Sequence, residues 1–125
     1  MVLTDGFGEA IDAIFAAAKG AEESYTAYRV VEEGKTTYVG ITKRTLAVRG
    51  AEHGKELEQV AGGLTKKEAR GVEQALIEHH GLGKDGGTLI NRINSISATR
   101  NPSFYQEAVT FGRQLLQSLS YLPVP

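Results

Sequence analysis

Residues 25–42 read YTAYRVVEEGKTTYVGIT and carry the clearest structural signal in the chain. Tyr, Thr, Val and Ile, the residue types that strands favour, are concentrated in residues 25–31 and 36–42. Glu32-Glu33-Gly34 lies between the two runs, and a three-residue loop that ends in glycine is a common hairpin connection. The stretch therefore predicts a β-hairpin.

The length of that loop sets the register of the hairpin. With a three-residue loop, Val31 faces Lys35, and counting outward places Tyr28 opposite Tyr38. Directly opposite residues share one face of a sheet, so both hydroxyls would point at one site. A two-residue turn at Glu33-Gly34 would instead put the two tyrosines on opposite faces. The register that unites the tyrosines thus depends on the longer loop.

Downstream of the hairpin the pattern becomes helical. A short helix is expected from about Lys43 to His53. Thr65-Lys66-Lys67-Glu68 is a capping box ahead of an apolar periodic run that Gly81 ends, which predicts a well-marked helix. Gly86-Gly87 then leads into Thr88-Leu89-Ile90-Asn91, which we expect to form the third strand.

Both ends of the chain predict a further helix. Asp5 caps a run with apolar residues at helical spacing, and Gly20 ends it. Asn101-Pro102 supplies a cap and a proline at the first helical position. The last helix carries its apolar side chains at Phe104, Val109, Leu115, Leu116 and Leu119. The predicted fold is α+β, with a small, mostly antiparallel three-stranded sheet flanked by helices.

The bulk properties limit the classes of protein to consider. The chain has 125 residues, the size of one compact domain, and we expect residues 1–24 to form an N-terminal helix or linker and residues 25–125 the domain itself. It contains no cysteine, which excludes disulfides, thiolate metal sites and cysteine nucleophiles. No apolar run approaches the ~20 residues that span a bilayer, and the acidic N-terminus lacks a signal-peptide pattern.

Charge is distributed unevenly along the sequence, although the net charge is only -1. Residues 1–34 hold two basic and seven acidic residues, whereas residues 35–70 hold eight basic and four acidic ones. Phosphate binding requires local positive charge rather than a high overall pI. The basic stretch favours a phosphate-containing ligand, and the alternative is chance clustering of surface charge.

Glu73 lies inside an apolar stripe on the helix that follows Thr65. The residues at helical spacing around it are Ala69, Val72, Leu76, Ile77 and His80. A carboxylate against an apolar face is costly unless it is paired or binds a metal ion. The alternative is that Glu73 lies at the edge of the stripe and reaches water.

The order of the polar residues resembles the GIY-YIG nuclease family. Tyr28 is followed ten residues later by Tyr38-Val39-Gly40-Ile41-Thr42, then by Arg49 and, four residues on, by His53. That family has two tyrosine motifs on adjacent strands, an arginine on the next helix, a glutamate on a later helix and an asparagine beyond it. The resemblance implies the α+β fold that the residue pattern predicts.

Two further positions complete the resemblance, which covers roughly residues 25–97. Glu73 falls where the family has its metal-binding glutamate, and Asn91 falls where it has its asparagine, with Asn94 the weaker candidate. The first motif, Thr26-Ala27-Tyr28, keeps the tyrosine but lacks the Gly-Ile that names the family.

The resemblance implies a role for each residue in phosphodiester hydrolysis. Glu73 would hold one Mg²⁺, or Mn²⁺, which polarises the phosphate and the leaving group. Tyr28 would be the general base for the attacking water, with His53 or the other tyrosine helping to remove the proton. Tyr38 would orient that water, and Arg49 would grip the scissile phosphate.

Supporting roles are implied for other residues. Asn91 would brace the site, and Gly40 would let the backbone pass close to the next helix. Five basic side chains are candidates to follow the nucleic-acid backbone, or else form a solvated face: Lys43, Arg44, Lys66, Lys67 and Arg70.

The biological role is inferred from residues 69–97, which are similar to segments that end large polymorphic toxins of the contact-dependent inhibition and Rhs type. This implies a nuclease toxin that is delivered as part of a larger secreted or cell-surface protein and acts in the cytoplasm of a competing bacterium. It also implies a cognate immunity protein in the producer. The alternatives are a housekeeping repair or recombination nuclease and a non-catalytic module that binds nucleic acid or protein.

Overall fold

The computed structural model describes residues 24–123, and these form an α+β domain as predicted. In chain order the elements are β1 (Tyr25–Glu32), β2 (Lys35–Thr42), α1 (Leu46–His53), β3 (Glu58–Leu64), α2 (Lys66–His80), a short 3-10 turn (Gly83–Asp85) and α3 (Pro102–Ser118). The strands form one antiparallel sheet in the order β2-β1-β3. The predicted helix near residues 5–20 lies outside the described residues.

No helix within residues 24–123 combines the length and the apolar character that crossing a bilayer requires.

The turn of the hairpin has two residues, so the predicted three-residue loop is wrong. Glu32 pairs with Lys35, and only Glu33 and Gly34 connect them. Both have a positive φ, 53° and 79°, as the commonest two-residue hairpin turn requires. The sequence favours the longer loop because a glutamate with a left-handed backbone is uncommon, and nothing near Glu33 in the sequence indicates that conformation.

A bulge at Thr37 offsets the effect of the shorter turn. Val31 pairs with Thr36, but Val30 pairs with Tyr38, which leaves Thr37 as the extra residue of β2. Tyr28 consequently pairs with Gly40 instead of Tyr38, so the predicted register is wrong. The two tyrosines nevertheless share a face, as diagonal neighbours, because the turn and the bulge each shift the pairing by one residue.

The third strand is Glu58–Leu64, so the prediction of a strand at Thr88–Asn91 is wrong. β3 pairs with β1 through a ladder that shifts register twice, and Gly63 within it has a φ of +66°. Two glycines and two polar residues in seven positions conceal this strand from propensity arguments. The predicted segment forms only an isolated bridge, between Leu82 and Leu89.

Helix α2 forms the centre of the domain and packs against both the sheet and α3. The predicted capping box is present, with reciprocal hydrogen bonds between Thr65 and Glu68 of 2.9 and 3.1 Å. Gly81 follows the last helical residue, as predicted. Large buried apolar side chains from α2 itself and from the elements around it form the core, among them Leu76, Leu82, Leu89, Phe111 and Leu116.

Helix α1 begins later than predicted, at Leu46, with Thr45 as its N-cap. Helix α3 begins at Pro102 as predicted, but the side chain of Asn101 makes no capping hydrogen bond. The predicted start of α3 is therefore confirmed through the proline alone.

Candidate active site

An aromatic cluster joins the hairpin to the end of α1. The ring centroids of Tyr28 and Tyr38 are 6.2 Å apart, and the His53 ring lies 6.5 Å from Tyr28 and 5.7 Å from Tyr38. Tyr28 is 1% exposed, whereas Tyr38 is half-buried and His53, the last residue of α1, is exposed. Three of the six predicted catalytic residues therefore meet at one place.

Gly40 provides the space for the Tyr28 ring. A Cβ atom at this position would lie 2.5 Å from Tyr28 Oη and 2.6 Å from Tyr28 Cζ. The hydrogen-bonded register pairs the same two residues across the hairpin. Gly40 was expected to let its backbone pass close to the next helix. In the structure its missing side chain instead makes room for the Tyr28 ring.

Two buried polar atoms in this region have no hydrogen-bond partner, and they are the only such side-chain atoms in residues 24–123. They are Tyr28 Oη and Arg49 Nε. The Tyr28 hydroxyl lies near that of Tyr38 without reaching ordinary hydrogen-bond geometry. Nearly all buried polar atoms in folded proteins are paired, so these two donors mark a place where a further group can bind.

Arg49 is held by a neighbouring carboxylate on α1. Its Nη1 donates to Glu52 Oε1 at 3.2 Å, and the side chain is 34% exposed. Glu52 also forms an ion pair with Arg44. One end of the Arg49 guanidinium is therefore fixed by the protein while its Nε remains open.

Glu73 reaches the same region from α2. Burial raises the pKa of its carboxyl group, and a hydrogen bond with Ser95 and the positive charge of Arg70 partly oppose that rise. The side chain is half-buried and lines an open pocket together with Tyr38 and Asn91. Glu73 is therefore partly enclosed by the protein, and its carboxylate can be reached through the pocket.

The charges of Glu73 and Arg49 both act on Tyr38. Burial raises the pKa of the Tyr38 hydroxyl most, and Tyr28 and the negative charge of Glu73 raise it further, while Arg49 lowers it. The net result is a pKa above the ordinary value of 10.0, so Tyr38 remains protonated at neutral pH. Tyr38 can therefore donate a hydrogen bond within the site.

Asn91 fastens the segment after α2 to the edge of β2. Its Oδ1 accepts from the Val39 amide at 3.1 Å, and its Nδ2 donates to the Val39 carbonyl at 2.9 Å. Asn94, the weaker candidate, accepts instead from Gln74 Nε2 at 3.0 Å. Because Val39 lies between Tyr38 and Gly40, Asn91 braces the strand that carries the site.

Of the five predicted phosphate-binding residues, the structure brings only Arg70 to the pocket. Lys43 lies over the ring of Tyr25, Arg44 pairs with Glu52, and Lys67 pairs with Glu107. Lys66 is exposed on the first turn of α2. Lys67 and Arg70 both lie over the Phe104 ring, at 5.4 and 5.6 Å from its centroid.

Residues that sequence reasoning missed organise the pocket. Ser95 accepts hydrogen bonds from Arg70, and the buried Gln74 accepts from the backbone amides of Ser95 and Ile96 at 2.7 and 3.1 Å. A glutamine on a helix flanked by apolar residues is a usable signal for such a buried polar anchor. Ser95 carries no comparable signal in the sequence.

A divalent cation at this site would have few protein carboxylates to bind it. Within residues 24–123 no three His, Cys, Asp or Glu side chains cluster, so these residues form no all-protein metal cage. Mg²⁺ commonly binds through one or two carboxylates, with waters and substrate oxygens completing its shell. Glu73, which is accessible through the pocket and shares it with Tyr38, fits that mode of binding.

Comparison of the chain with protein-family models, with curated proteins and with solved structures finds no match in any of the three.

Proposed function

We propose that this chain is a metal-dependent phosphodiesterase that cuts DNA or RNA and acts as a toxin in competition between bacteria. One observation carries the enzymatic part. Tyr28 Oη and Arg49 Nε, two buried polar atoms without partners, border the same group of side chains as Tyr38 and Glu73. Tyr28, Arg49 and Glu73 all influence the Tyr38 hydroxyl, and unpartnered buried polar atoms around one titratable group are typical of a reactive site.

Two of the charged residues have clear tasks in phosphodiester hydrolysis. Glu73 would hold Mg²⁺ or Mn²⁺, since hard cations prefer carboxylate oxygens. The bound cation would supply polarisation of the phosphate and of the leaving oxygen. Arg49 binds a non-bridging phosphate oxygen through its open Nε, while Glu52 keeps the guanidinium oriented.

The aromatic cluster handles the water and its proton. Tyr38, protonated because its pKa is raised, donates to the attacking water and so orients it. Tyr28 first gives its own hydroxyl proton to His53 or to solvent, and the resulting phenolate then takes up the proton of that water. His53 lies beside both rings and is exposed, so it can transfer the proton to solvent.

The cleavage test uses purified protein on plasmid DNA and on total RNA, with and without Mg²⁺. We expect one substrate to be cut only with the cation, and Glu73→Gln and Tyr28→Phe to lower the rate by about 100-fold or more. Glu107→Gln removes an exposed carboxylate that pairs with Lys67, and it serves as the matched control for Glu73. Tyr25→Phe removes a hydroxyl from the same strand as Tyr28.

The controls are expected to cut at the parental rate. Cleavage by a folded Glu73→Gln protein at the parental rate would exclude Glu73 as the metal ligand. If neither nucleic acid is cut under any condition, the enzymatic proposal is wrong and a binding module becomes the better interpretation.

The toxin role rests on the resemblance of residues 69–97 to polymorphic toxin ends. Such a toxin requires delivery by a larger protein and inhibition by a cognate immunity protein in the producer. Expression of the chain inside a bacterial host should therefore stop growth, and Glu73→Gln should abolish that effect. Normal growth with an active enzyme would favour a housekeeping nuclease instead.

A further inference from the structure

The segment that follows α2 presents two large apolar side chains to solvent. Ile93 is 75% exposed and Ile90 is 69% exposed, more than the other exposed large apolar residues in the described chain, Val48 at 48% and Leu119 at 50%. Isolated exposed apolar residues are ordinary on protein surfaces. Two within four positions, beside a candidate site, require a physical explanation.

This exposure is imposed by hydrogen bonds on both sides of the two isoleucines. The amide of Ile90 donates to the Thr37 carbonyl at 2.7 Å, and Asn91 is bound to Val39 through both atoms of its amide. On the other side, the Ser95 amide donates to buried Gln74 at 2.7 Å. The segment is held at each end and cannot turn its isoleucines inward without breaking these bonds.

The two isoleucines line the same open pocket as Tyr38 and Glu73. Arg92 lies between them in sequence, also lines the pocket, and forms no ion pair with any residue from 24 to 123. The pocket therefore combines an unpaired cation, two apolar side chains and the proposed site of phosphate hydrolysis. A nucleic-acid strand offers the matching chemistry, an anionic backbone with apolar base faces attached to it.

We propose that Ile90 and Ile93 contact the faces of unpaired bases that flank the scissile phosphate, with Arg92 on the adjoining backbone. This inference rests on the proposed nuclease function, because a strand bound at Glu73 must pass over this pocket. Base faces are free only where a strand is unstacked, since in a duplex they are covered by neighbouring pairs. The substrate class is therefore single-stranded or locally opened nucleic acid.

The test separates binding from cleavage. Fluorescein-labelled oligonucleotides of one sequence, as DNA and as RNA, single-stranded and duplex, are titrated with Glu73→Gln protein that carries either native isoleucines or Ile90→Ser with Ile93→Ser. We expect single strands to bind more tightly than duplexes. We also expect the double substitution to weaken single-strand binding about tenfold, because both side chains lose buried apolar contact. Leu119→Ser, which changes a half-exposed apolar residue directly after α3, is the control and should bind like the unsubstituted protein.

Cleavage kinetics provide the second readout, measured on proteins that keep the natural Glu73. The double substitution should raise KM for single strands about tenfold and change kcat less than about twofold, because the isoleucines bind substrate without touching the reacting atoms. If the parent cuts but the double variant binds and cuts like it, the inference is wrong and the proposed function stands. If the parent cuts nothing while oligonucleotide binding still depends on the isoleucines, the proposed function is wrong and the nucleic-acid surface stands.

Discussion

The hydroxyl of Tyr28 and the Nε of Arg49 each forgo a hydrogen bond that water would provide in the unfolded chain. Leaving one buried polar group unsatisfied costs about 1–3 kcal/mol. Glu73 adds a third unfavourable group, because burial disfavours its charged form. Local costs of this kind are common where residues serve binding or catalysis rather than stability, which agrees with the proposed function.

Substitution of Glu73 should therefore stabilise the protein at neutral pH. Burial raises the pKa of Glu73, so its contribution to stability is fully present below the ordinary value of 4.5 and is lost as pH rises through the folded-state pKa. Gln cannot ionise and avoids this loss. We expect Glu73→Gln to raise Tm by a few degrees at neutral pH, with the gain shrinking in acid, as measured by thermal unfolding over a pH series.

Glu78, on the same helix, provides a control because its pKa is shifted in the opposite direction to that of Glu73. Burial opposes ionisation of Glu78, but hydrogen bonds from Tyr105, Arg113 and Gln74 outweigh it and lower its pKa. Its contribution is present above the ordinary pKa and is lost as pH falls through the folded-state value. Glu78→Gln should thus lower Tm at neutral pH. A Glu73→Gln protein less stable than the parent at neutral pH would show that the carboxylate is structural.

At the scale of elements, the hairpin turn and its bulge act together. The two-residue turn alone would separate the faces of Tyr28 and Tyr38, and the bulge at Thr37 reunites them. The bulge is in turn bonded to the next segment, because the Thr37 carbonyl accepts the Ile90 amide. The arrangement of β2 therefore couples the aromatic cluster to the pocket.

Gly40→Ala tests the packing of this hairpin. Its Cβ would meet Tyr28 at 2.5 Å, so the ring or the strand must move, at a cost of about 1–3 kcal/mol in the free energy of unfolding. The same substitution in a Tyr28→Ala background should cost little, because the ring is gone. Urea unfolding of the four proteins gives the coupling energy. An equal cost in both backgrounds would show that the strain lies elsewhere.

At the scale of the whole molecule, α2 and α3 cross through small residues. A Cβ on Gly71 would overlap the backbone carbonyl of Ala108, and a Cβ on Gly112 would overlap that of Gly71. The backbones approach so closely that neither glycine can be replaced without separating the helices. This contact fixes α2, and with it Glu73, relative to the rest of the core.

Gly71→Ala should therefore destabilise the whole domain. Alanine gains about 1 kcal/mol in helix propensity over glycine. The overlap with rigid backbone should exceed that gain, and we expect a net loss of about 2 kcal/mol or more in the free energy of unfolding. Gly62→Ala is the control, since its Cβ would meet the flexible end of Gln59 at 3.2 Å and Thr26 Oγ1 at an ordinary contact distance of 3.7 Å. Equal stability of the two variants in urea would contradict this account of the crossing.

Local signals were enough to predict the hairpin, the α+β class and the bounds of α2. A capping box at Thr65 and a terminating glycine at Gly81 act within one helical turn, so sequence alone specifies them. The grouping of Tyr28 and Tyr38 on one face was predicted too, although from the wrong turn and register. The catalytic roles assigned to these residues stay predictions.

The third strand and the detailed arrangement of the candidate site depend on tertiary contacts. The third strand contains two glycines and forms because β1 has a free edge to pair with. The composition of residues 58–64 gives no sign of this pairing. The bulge at Thr37, the open donors of Tyr28 and Arg49, and the exposure of Ile90 all depend on partners distant in sequence. Capping and periodicity are interactions between near neighbours, whereas register and burial are settled by which distant segments meet.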